Sequence, residues 1–194
     1  SRVQKIRSEN KHGHNGDESY NYFLATIFPH DEVHIMGYNR IVKDLGGLGE
    51  ERFFDALDTK FEIQKLPRQE SPKERFSFTM YLNQKWYSLK AKQEIINKDF
   101  VDGLDASILQ DHILSPVLNI QDPRTDNRID FVGGIRGLDE LERRCESDYK
   151  IAFALYPVSI NDLLSVSDHG KVMPPKSTWF EPKLRSGLLV RLLD

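Results

Sequence analysis

The sequence predicts an α+β fold with a mixed, largely antiparallel sheet, several β-hairpins and a few short helices. Two observations indicate this class. The predicted strands form hairpins joined by short turns more often than they form βαβ units. The helical runs occur singly and do not alternate regularly with strands, as they would in a parallel βαβ sheet.

The clearest hairpin lies near the middle of the chain. Residues 75–82 (RFSFTMYL) alternate in polarity, Asn83-Gln84 is typical of a turn, and residues 86–91 (WYSLKA) return as the second strand. Residues 61–66 (FEIQKL) also alternate, which predicts a half-exposed strand before this hairpin.

Other strands are predicted from aromatic and β-branched residues. Residues 20–28 (YNYFLATIF) predict a buried strand, and residues 33–42 (VHIMGYNRIV) predict its hairpin partner. Further strands are expected at 129–132 and 149–155, and a last one at 187–193 (GLLVRLL).

Four short helices are expected from apolar spacing and capping residues. Residues 50–57 carry acids in the first turn, as the helix dipole favours. Asp105 can cap a helix over 105–118, which Pro116 kinks or ends. The other two are expected at 138–145 and at 159–166, where Ser159 is the cap.

Composition excludes several classes of protein. The 194 residues are 39% hydrophobic and 29% charged, and the net charge of −3 argues against a protein that neutralises many DNA phosphates. No apolar run approaches the ~20 residues of a membrane span. Cys145 is the only cysteine, which excludes an internal disulfide. We therefore expect a cytoplasmic protein without nucleic-acid or membrane partners; the oligomeric state stays open.

The first residue is Ser1 rather than Met, and residues 1–16 are poor in apolar side chains. This pattern predicts a flexible N-terminal arm cut from a longer protein, with a processed or tagged terminus as the alternative. Residues 17–194 are expected to form a single α+β domain.

The most unusual segment is 173–187 (MPPKSTWFEPKLRSG), in which three prolines stiffen a run of cations and hydroxyls. Such a run suits an anionic group, because charged hydrogen bonds and fixed geometry both favour phosphate or carboxylate. The alternative is a solvated surface strand anchored by a Trp-Phe plug. The candidate binding residues are Lys176, Ser177, Thr178, Lys183, Arg185 and Ser186, assisted by Asn39 and Arg40 on an apolar strand.

Other polar groups favour ordinary structural roles. His12, His14 and Asp17 lack a third fixed ligand spacing, so no metal site is predicted. Residues 122–130 alternate Asp and Arg; this run can orient a substrate or a divalent ion, or can simply balance charge on a surface loop. Acids around Cys145 would raise its thiol pKa, and neither a GxSxG nor a Walker A motif occurs.

Several longer motifs resemble one family. YNYFLATIFP, GYNRIVKDL, IDFVGGIRGLDELE, IAFALYPVSINDLL and above all MPPKSTWFEPKLRSGLL are similar to the bacterial and archaeal family called domain of unknown function 1015, in order from about Asp17 to Leu193. Members are about twice this length. They carry an upstream Asp-Gly-His-His-Arg motif, absent here, that resembles the phosphate-handling motif of the ParB and sulfiredoxin-like superfamily. That superfamily includes free-serine kinases, and family genes often lie beside serine-biosynthesis genes.

The resemblance implies the C-terminal half of a phosphotransferase acting on a small amino acid such as serine, with its catalytic residues and cofactors unassigned. A small anionic metabolite or phosphate donor would be the partner. Two alternatives stay open. The chain can be a non-catalytic anion-binding or regulatory module, or the basic segment can be a rigid closing strand packed by Trp179 and Phe180.

Overall fold

The computed structural model describes residues 2–9, 14–185 and 187–192. Two compact units are present: Ser1–Val33 with Pro182–Asp194 form one, and His34–Glu181 form the other. The boundary expected after residue 16 stays a prediction.

A six-stranded antiparallel sheet is the centre of the larger unit. Its spatial order is β3-β5-β4-β7-β2-β6, and every neighbouring pair is antiparallel. The predicted α+β class with a largely antiparallel sheet is therefore confirmed. A separate two-stranded sheet pairs β1 with β8. The strands are β1 His34–Met36, β2 Tyr38–Val42, β3 Phe61–Leu66, β4 Ser77–Leu82, β5 Lys85–Ala91, β6 Ile129–Gly133, β7 Ile151–Leu155 and β8 Trp179–Glu181.

The β4–β5 hairpin is confirmed where the sequence predicts it. Asn83 and Gln84 connect the strands with φ angles of 48° and 58°, the backbone of a type I′ turn. Such a turn follows the right-handed twist of the strands, so the local sequence fixes this register.

The described residues form five α-helices, and each of the four predicted helical segments contains one. They are α1 Arg2–Ser8, α2 Glu50–Asp58, α3 Asp105–Leu109, α4 Asp139–Cys145 and α5 Ile160–Asp168. Ser159 and Asp162 form a reciprocal capping box at the start of α5. The expected helix over 105–118 differs, because α3 continues only as a π-helical turn, Gln110–Leu114. Asp105 is not its cap but its first residue.

Two apolar clusters cover opposite faces of the large sheet. On one face, α2, α3 and the π turn pack over Phe78, Met80 and Phe153. On the other, Leu141 of α4 packs against Ile41 and Ala152. Because both faces are covered, central strands such as β7 are buried along their whole length.

The predicted strands at 20–28 and 187–193 are wrong for the described residues. Only a 3₁₀ turn, Ser19–Asn21, forms there, and Phe23 and Ile27 are 85% and 92% exposed. Residues 187–192 form no strand, and 193 lies outside the described residues. Residues with high β-propensity form a strand only when another strand is available to pair with them. In the smaller unit, none of the described residues provides such a partner.

Residues 33–42 form two strands rather than one. The break falls at Gly37, where an added Cβ would lie 2.4 Å from the Leu155 carbonyl oxygen. β2 pairs with β6 and β7 instead of residues 20–28, which places it inside the sheet.

No helix among the described residues is long and apolar enough to cross a membrane.

Candidate functional site

Arg40 occupies an unusual position for a cation, in the middle of an interior strand. It lies opposite Phe131 of β6 and Phe153 of β7, and only 4% of its surface is exposed. Burial lowers the pKa of its guanidinium to about 10, which leaves the group charged at neutral pH. The strand therefore carries a positive charge into a largely apolar layer.

No carboxylate neutralises this charge in the described part of the chain. The hydrogen bond of Arg40 runs from Nη1 to the Tyr38 carbonyl oxygen, and its Cζ lies 5.5 Å from the Phe131 ring centroid. A guanidinium has five N–H donors, so most of them remain available to a ligand. An unpaired buried charge is costly, and such groups in clefts are typical of binding sites.

An aromatic cluster of Tyr38, Phe131 and Trp179 lies beside Arg40. The ring centroid of Tyr38 is 5.8 Å from that of Phe131 and 5.1 Å from that of Trp179, both in edge-on geometry. Lys176 Nζ lies 5.6 Å from the Tyr38 centroid. The structure thus brings two of the predicted cations, Arg40 and Lys176, to the same set of rings.

The proline-rich segment uses its first hydroxyl internally. Ser177 is buried, and its Oγ donates a 2.7 Å hydrogen bond to the Pro174 carbonyl oxygen. Between Pro174 and Ser177, Lys176 has a φ of 55°, so the chain turns sharply there. Thr178 is half-buried just before β8. Ser177 therefore stabilises the turn that presents Lys176.

A cavity of about 450 Å³ opens in front of Arg40. Arg40 of β2 forms one wall, α3 and the π turn form a second, and Pro174 and Pro175 form a third. This volume is within the ~300–1,000 Å³ range of small-molecule sites. Its polar and charged lining residues are Arg40, Asp102, Ser107, Gln110, Asp111, Gln121, Asp122 and Arg124.

The cavity presents charges of both signs. Arg124 is already paired, because its guanidinium donates to both oxygens of Asp122, and this contact lowers the pKa of Asp122 to about 2. Asp102 and Asp111 are exposed carboxylates of the lining. The lining thus combines one deep, unneutralised cation with two outer acids.

Gln110 adds a neutral polar group to the same lining. Its Nε2 donates to the Ile120 and Gln121 carbonyl oxygens, which fixes the side chain. Its Oε1 is buried and has no hydrogen-bond partner among the described residues. A buried carbonyl without a donor costs about 1–3 kcal/mol, so a ligand donor here would be favourable.

Asn39 does not join Arg40, although the two are adjacent in sequence. Successive strand residues point to opposite faces, and Asn39 lines a different cavity of about 340 Å³. Its Oδ1 accepts a hydrogen bond from the Leu155 backbone N–H at 3.2 Å. Its main contact therefore fastens β2 to β7.

The remaining predicted residues follow β8. Lys183 and Arg185 are exposed and belong to the other compact unit. Ser186 lies outside the described residues. Their role in anion binding stays a prediction.

The other polar groups named from the sequence have local partners. Arg124 and Arg128 pair with Asp122 and Asp126, as expected for a charge-balanced loop. Burial raises the pKa of Cys145 to about 12, which disfavours a thiolate.

The described histidines have local partners or lie apart from other candidate ligands. His14 Nδ1 lies 2.9 Å from the Tyr20 hydroxyl, and His12 lies outside the described residues. Burial lowers the pKa of His112 on the π turn. Within the described ranges, no three His, Cys, Asp or Glu side chains are grouped as metal ligands.

Sequence reasoning missed the second wall of the cavity. Gln110 and Asp111 line the same cavity as Arg40 only because α3 and the π turn pack on that face of the sheet. The sequence does place Gln110 and Asp111 in a helical segment, but nothing local relates that segment to β2.

The comparison with protein families gives one match. The model described as "Protein of unknown function (DUF1015)" matches residues 1–107. The chain belongs to this family. The matched region of this DUF1015 protein includes Arg40 and α3 up to Ser107, whereas the proline-rich segment lies beyond it.

Several solved structures are similar to this chain at low sequence identity. A free serine kinase in complex with AMP is 13% identical, with a TM-score of 0.47 over 77% of this chain and 54% of that chain. A mutant free serine kinase in complex with ADP is 16% identical, with a TM-score of 0.46 over 77% and 54%. A conserved hypothetical protein from Pyrococcus furiosus is 16% identical, with a TM-score of 0.46 over 76% and 56%. The DUF1015 chain thus spans about half the length of these proteins, and no curated protein matches it.

Proposed function

We propose that this chain forms part of a phosphotransferase that acts on a small amino acid such as serine. The observation that carries the proposal is the charge of Arg40: it is buried, unpaired with any described carboxylate, and open to a cavity of about 450 Å³. A ligand carboxylate or phosphoryl group would supply the missing negative charge.

The distribution of charge supports an amino acid in particular. Its carboxylate would pair with Arg40 at the inner end, and its ammonium would face Asp102 or Asp111 at the outer end. A ligand hydroxyl or ammonium hydrogen would also satisfy the buried Gln110 Oε1. Opposite charges in one lining fit a zwitterion better than a simple anion, because a simple anion would be repelled by the two acids.

Phosphoryl transfer requires mostly positioning and charge compensation. In the proposed step, the substrate hydroxyl oxygen forms a bond to the donor phosphorus, the bond from that phosphorus to its leaving oxygen breaks, and the hydroxyl proton passes to a base. Lys176, which follows the cavity-lining Pro174 and Pro175 and lies over the Tyr38 ring, would compensate charge on the transferred group. The base and the donor site are not assigned to residues.

The direct test incubates the full-length protein that contains this chain with serine and ATP, ADP or pyrophosphate and measures phosphoserine by mass spectrometry. The matched pair of variants is Arg40→Met and Arg124→Met. Both remove a guanidinium from the same lining, but only Arg40 lacks a carboxylate partner. In the full-length protein, we expect product with the wild type and Arg124→Met and none with Arg40→Met. No product with any donor contradicts the proposed phosphotransferase.

A second function uses the same cavity without turnover. A regulatory module that binds a small zwitterionic or anionic metabolite needs Arg40 and the acids but no donor. Serine binding by calorimetry, together with no phosphoserine from any donor, would favour this alternative.

A further inference from the structure

A row of polar side chains crosses the sheet on the face opposite Arg40. Ser88 of β5 lies between Gln64 of β3 and Thr79 of β4 in register, and Thr79 lies opposite Ala154 of β7. Since paired residues project to the same face, hydroxyl and carboxamide groups form one continuous strip across three strands.

A cavity of about 210 Å³ lies over this strip. Gln64, Thr79 and Ser88 line it, and Ser71 and Pro72 from the loop after β3 border it. It is smaller than the ~300–1,000 Å³ of sites for drug-sized ligands. A molecule about the size of a single sugar ring is therefore the appropriate scale.

Thr79 points to a ligand independently of the cavity. Thr79 is only 3% exposed, and its Oγ1 has no hydrogen-bond partner among the described residues. Buried hydroxyls are ordinarily hydrogen-bonded, so the group needs a partner that enters the cavity. The small side chain of Ala154 beside it leaves room.

The charges around the cavity are balanced. Lys73 Nζ lies 2.5 Å from Glu70 Oε1, and Lys90 Nζ lies 2.8 Å from Glu74 Oε1. Neither a phosphate nor a cation would therefore find a net opposite charge. The lining hydroxyls and amide can each donate and accept, which matches a ligand whose own groups do both.

We propose that this cavity binds a small uncharged molecule with several hydroxyl groups, of the class of monosaccharides and polyols. The site is independent of the Arg40 cavity, because the two lie on opposite faces of the sheet. Thr79 and Ser88 would exchange hydrogen bonds with the ligand hydroxyls, and Gln64 would contact it at the open side.

The test titrates the isotope-labelled protein with D-glucose and, separately, with glycerol, and follows backbone amide shifts by NMR. We expect saturable shifts at Thr79 and Ser88 with at least one probe. Thr79→Val keeps the side-chain shape and removes the hydroxyl, and Ser88→Ala does the same on β5. Each should weaken binding roughly fivefold or more, whereas Ser167→Ala, on the exposed side of α5, should not.

Two results overturn the proposal. One is the absence of saturable shifts at Thr79 and Ser88 with both probes. The other is binding by Thr79→Val as tight as by the wild type, provided that its amide spectrum shows a folded protein. The two proposals can be tested separately on one sample of Arg40→Met. This substitution should weaken binding of serine, which is proposed to pair with Arg40, but should leave binding of glucose at Thr79 unchanged.

Discussion

The guanidinium carbon of Arg40 lies 5.5 Å from the ring centroid of Phe131, its register partner on β6. The ring faces a cation that is 4% exposed and that no described carboxylate neutralises. The ring quadrupole offsets part of the desolvation cost, by ~0.5–2 kcal/mol for contacts of this kind. The contact with Phe131 therefore stabilises the Arg40 charge beside the cavity without using the N–H donors of the guanidinium.

Arg40→Met should leave the protein as stable as the wild type or more stable. The substitution replaces a buried, uncompensated charge with an apolar chain of similar length. The matched variant is Arg128→Met, because Arg128 donates to Asp44, Asp126 and two carbonyl oxygens.

Arg128→Met should lose about 1–3 kcal/mol in urea unfolding. A loss of similar size in Arg40→Met would show that Arg40 has a stabilising partner and would contradict the account of its charge.

Gly133→Ala should destabilise the larger unit. An added Cβ would lie 2.4 Å from two ring atoms of Trp179, so the indole must shift from its position beside Tyr38. Overpacking of this kind costs about 1–3 kcal/mol. Urea unfolding gives the free energy, and tryptophan fluorescence reports the displaced ring.

Gly49→Ser is the matched control for Gly133→Ala. No atom lies within 4 Å of the Cβ it would add, and Gly49 is the N-cap of α2. A change of only a few tenths of a kcal/mol is expected. Equal losses in both variants would refute the close approach of Trp179 to Gly133.

Stability should fall as the pH rises through the titration of Asp105. Burial raises the pKa of its carboxyl from 3.8 to about 7, while Phe76 N–H and Arg75 act in the opposite direction. The folded state therefore binds the proton more tightly than the unfolded state, so this contribution is complete below pH 3.8 and is lost as the pH approaches 7.

Asp105→Asn tests this pH dependence. The amide keeps an oxygen that can accept the 2.6 Å hydrogen bond from Phe76 N–H. Melting temperatures at pH 5 and pH 8 should differ less in the variant than in the wild type. An identical difference in both proteins would show that Asp105 does not titrate in this window.

Ser159→Ala should lose about 1 kcal/mol of stability. Ser159 Oγ accepts from Asp162 N–H at 3.1 Å, and the Asp162 carboxylate accepts from Ser159 N–H at 2.9 Å. Ser167→Ala, also on α5 but exposed, serves as the control in urea unfolding. If both variants lost the same amount, the capping box would not contribute.

The sequence predicted correctly those elements that are specified by residues close together in the chain. The Asn83-Gln84 turn and the Ser159 cap each specify a backbone geometry within a few residues, and both elements form as expected. Residues 20–28 carry equally strong β-formers yet form no strand, because strand formation depends on a partner distant in sequence.

The candidate site was predicted only in part for the same reason. Arg40 was identified as a polar residue interrupting an apolar strand, and Lys176 as part of a stiff cationic segment. That Asn39 faces the other side follows from strand alternation. The contributions of Gln110 and Asp111 depend on how α3 and the π turn pack, which no nearby residue encodes.

Calorimetric titration of L-serine into the wild type, Arg40→Met and Arg124→Met tests the central claim most directly. The account predicts saturable binding to the wild type and to Arg124→Met, and loss of at least tenfold in affinity for Arg40→Met, since a charged hydrogen bond contributes about 1.5–3 kcal/mol. Binding of equal strength to all three proteins, or no binding to the wild type, would contradict it.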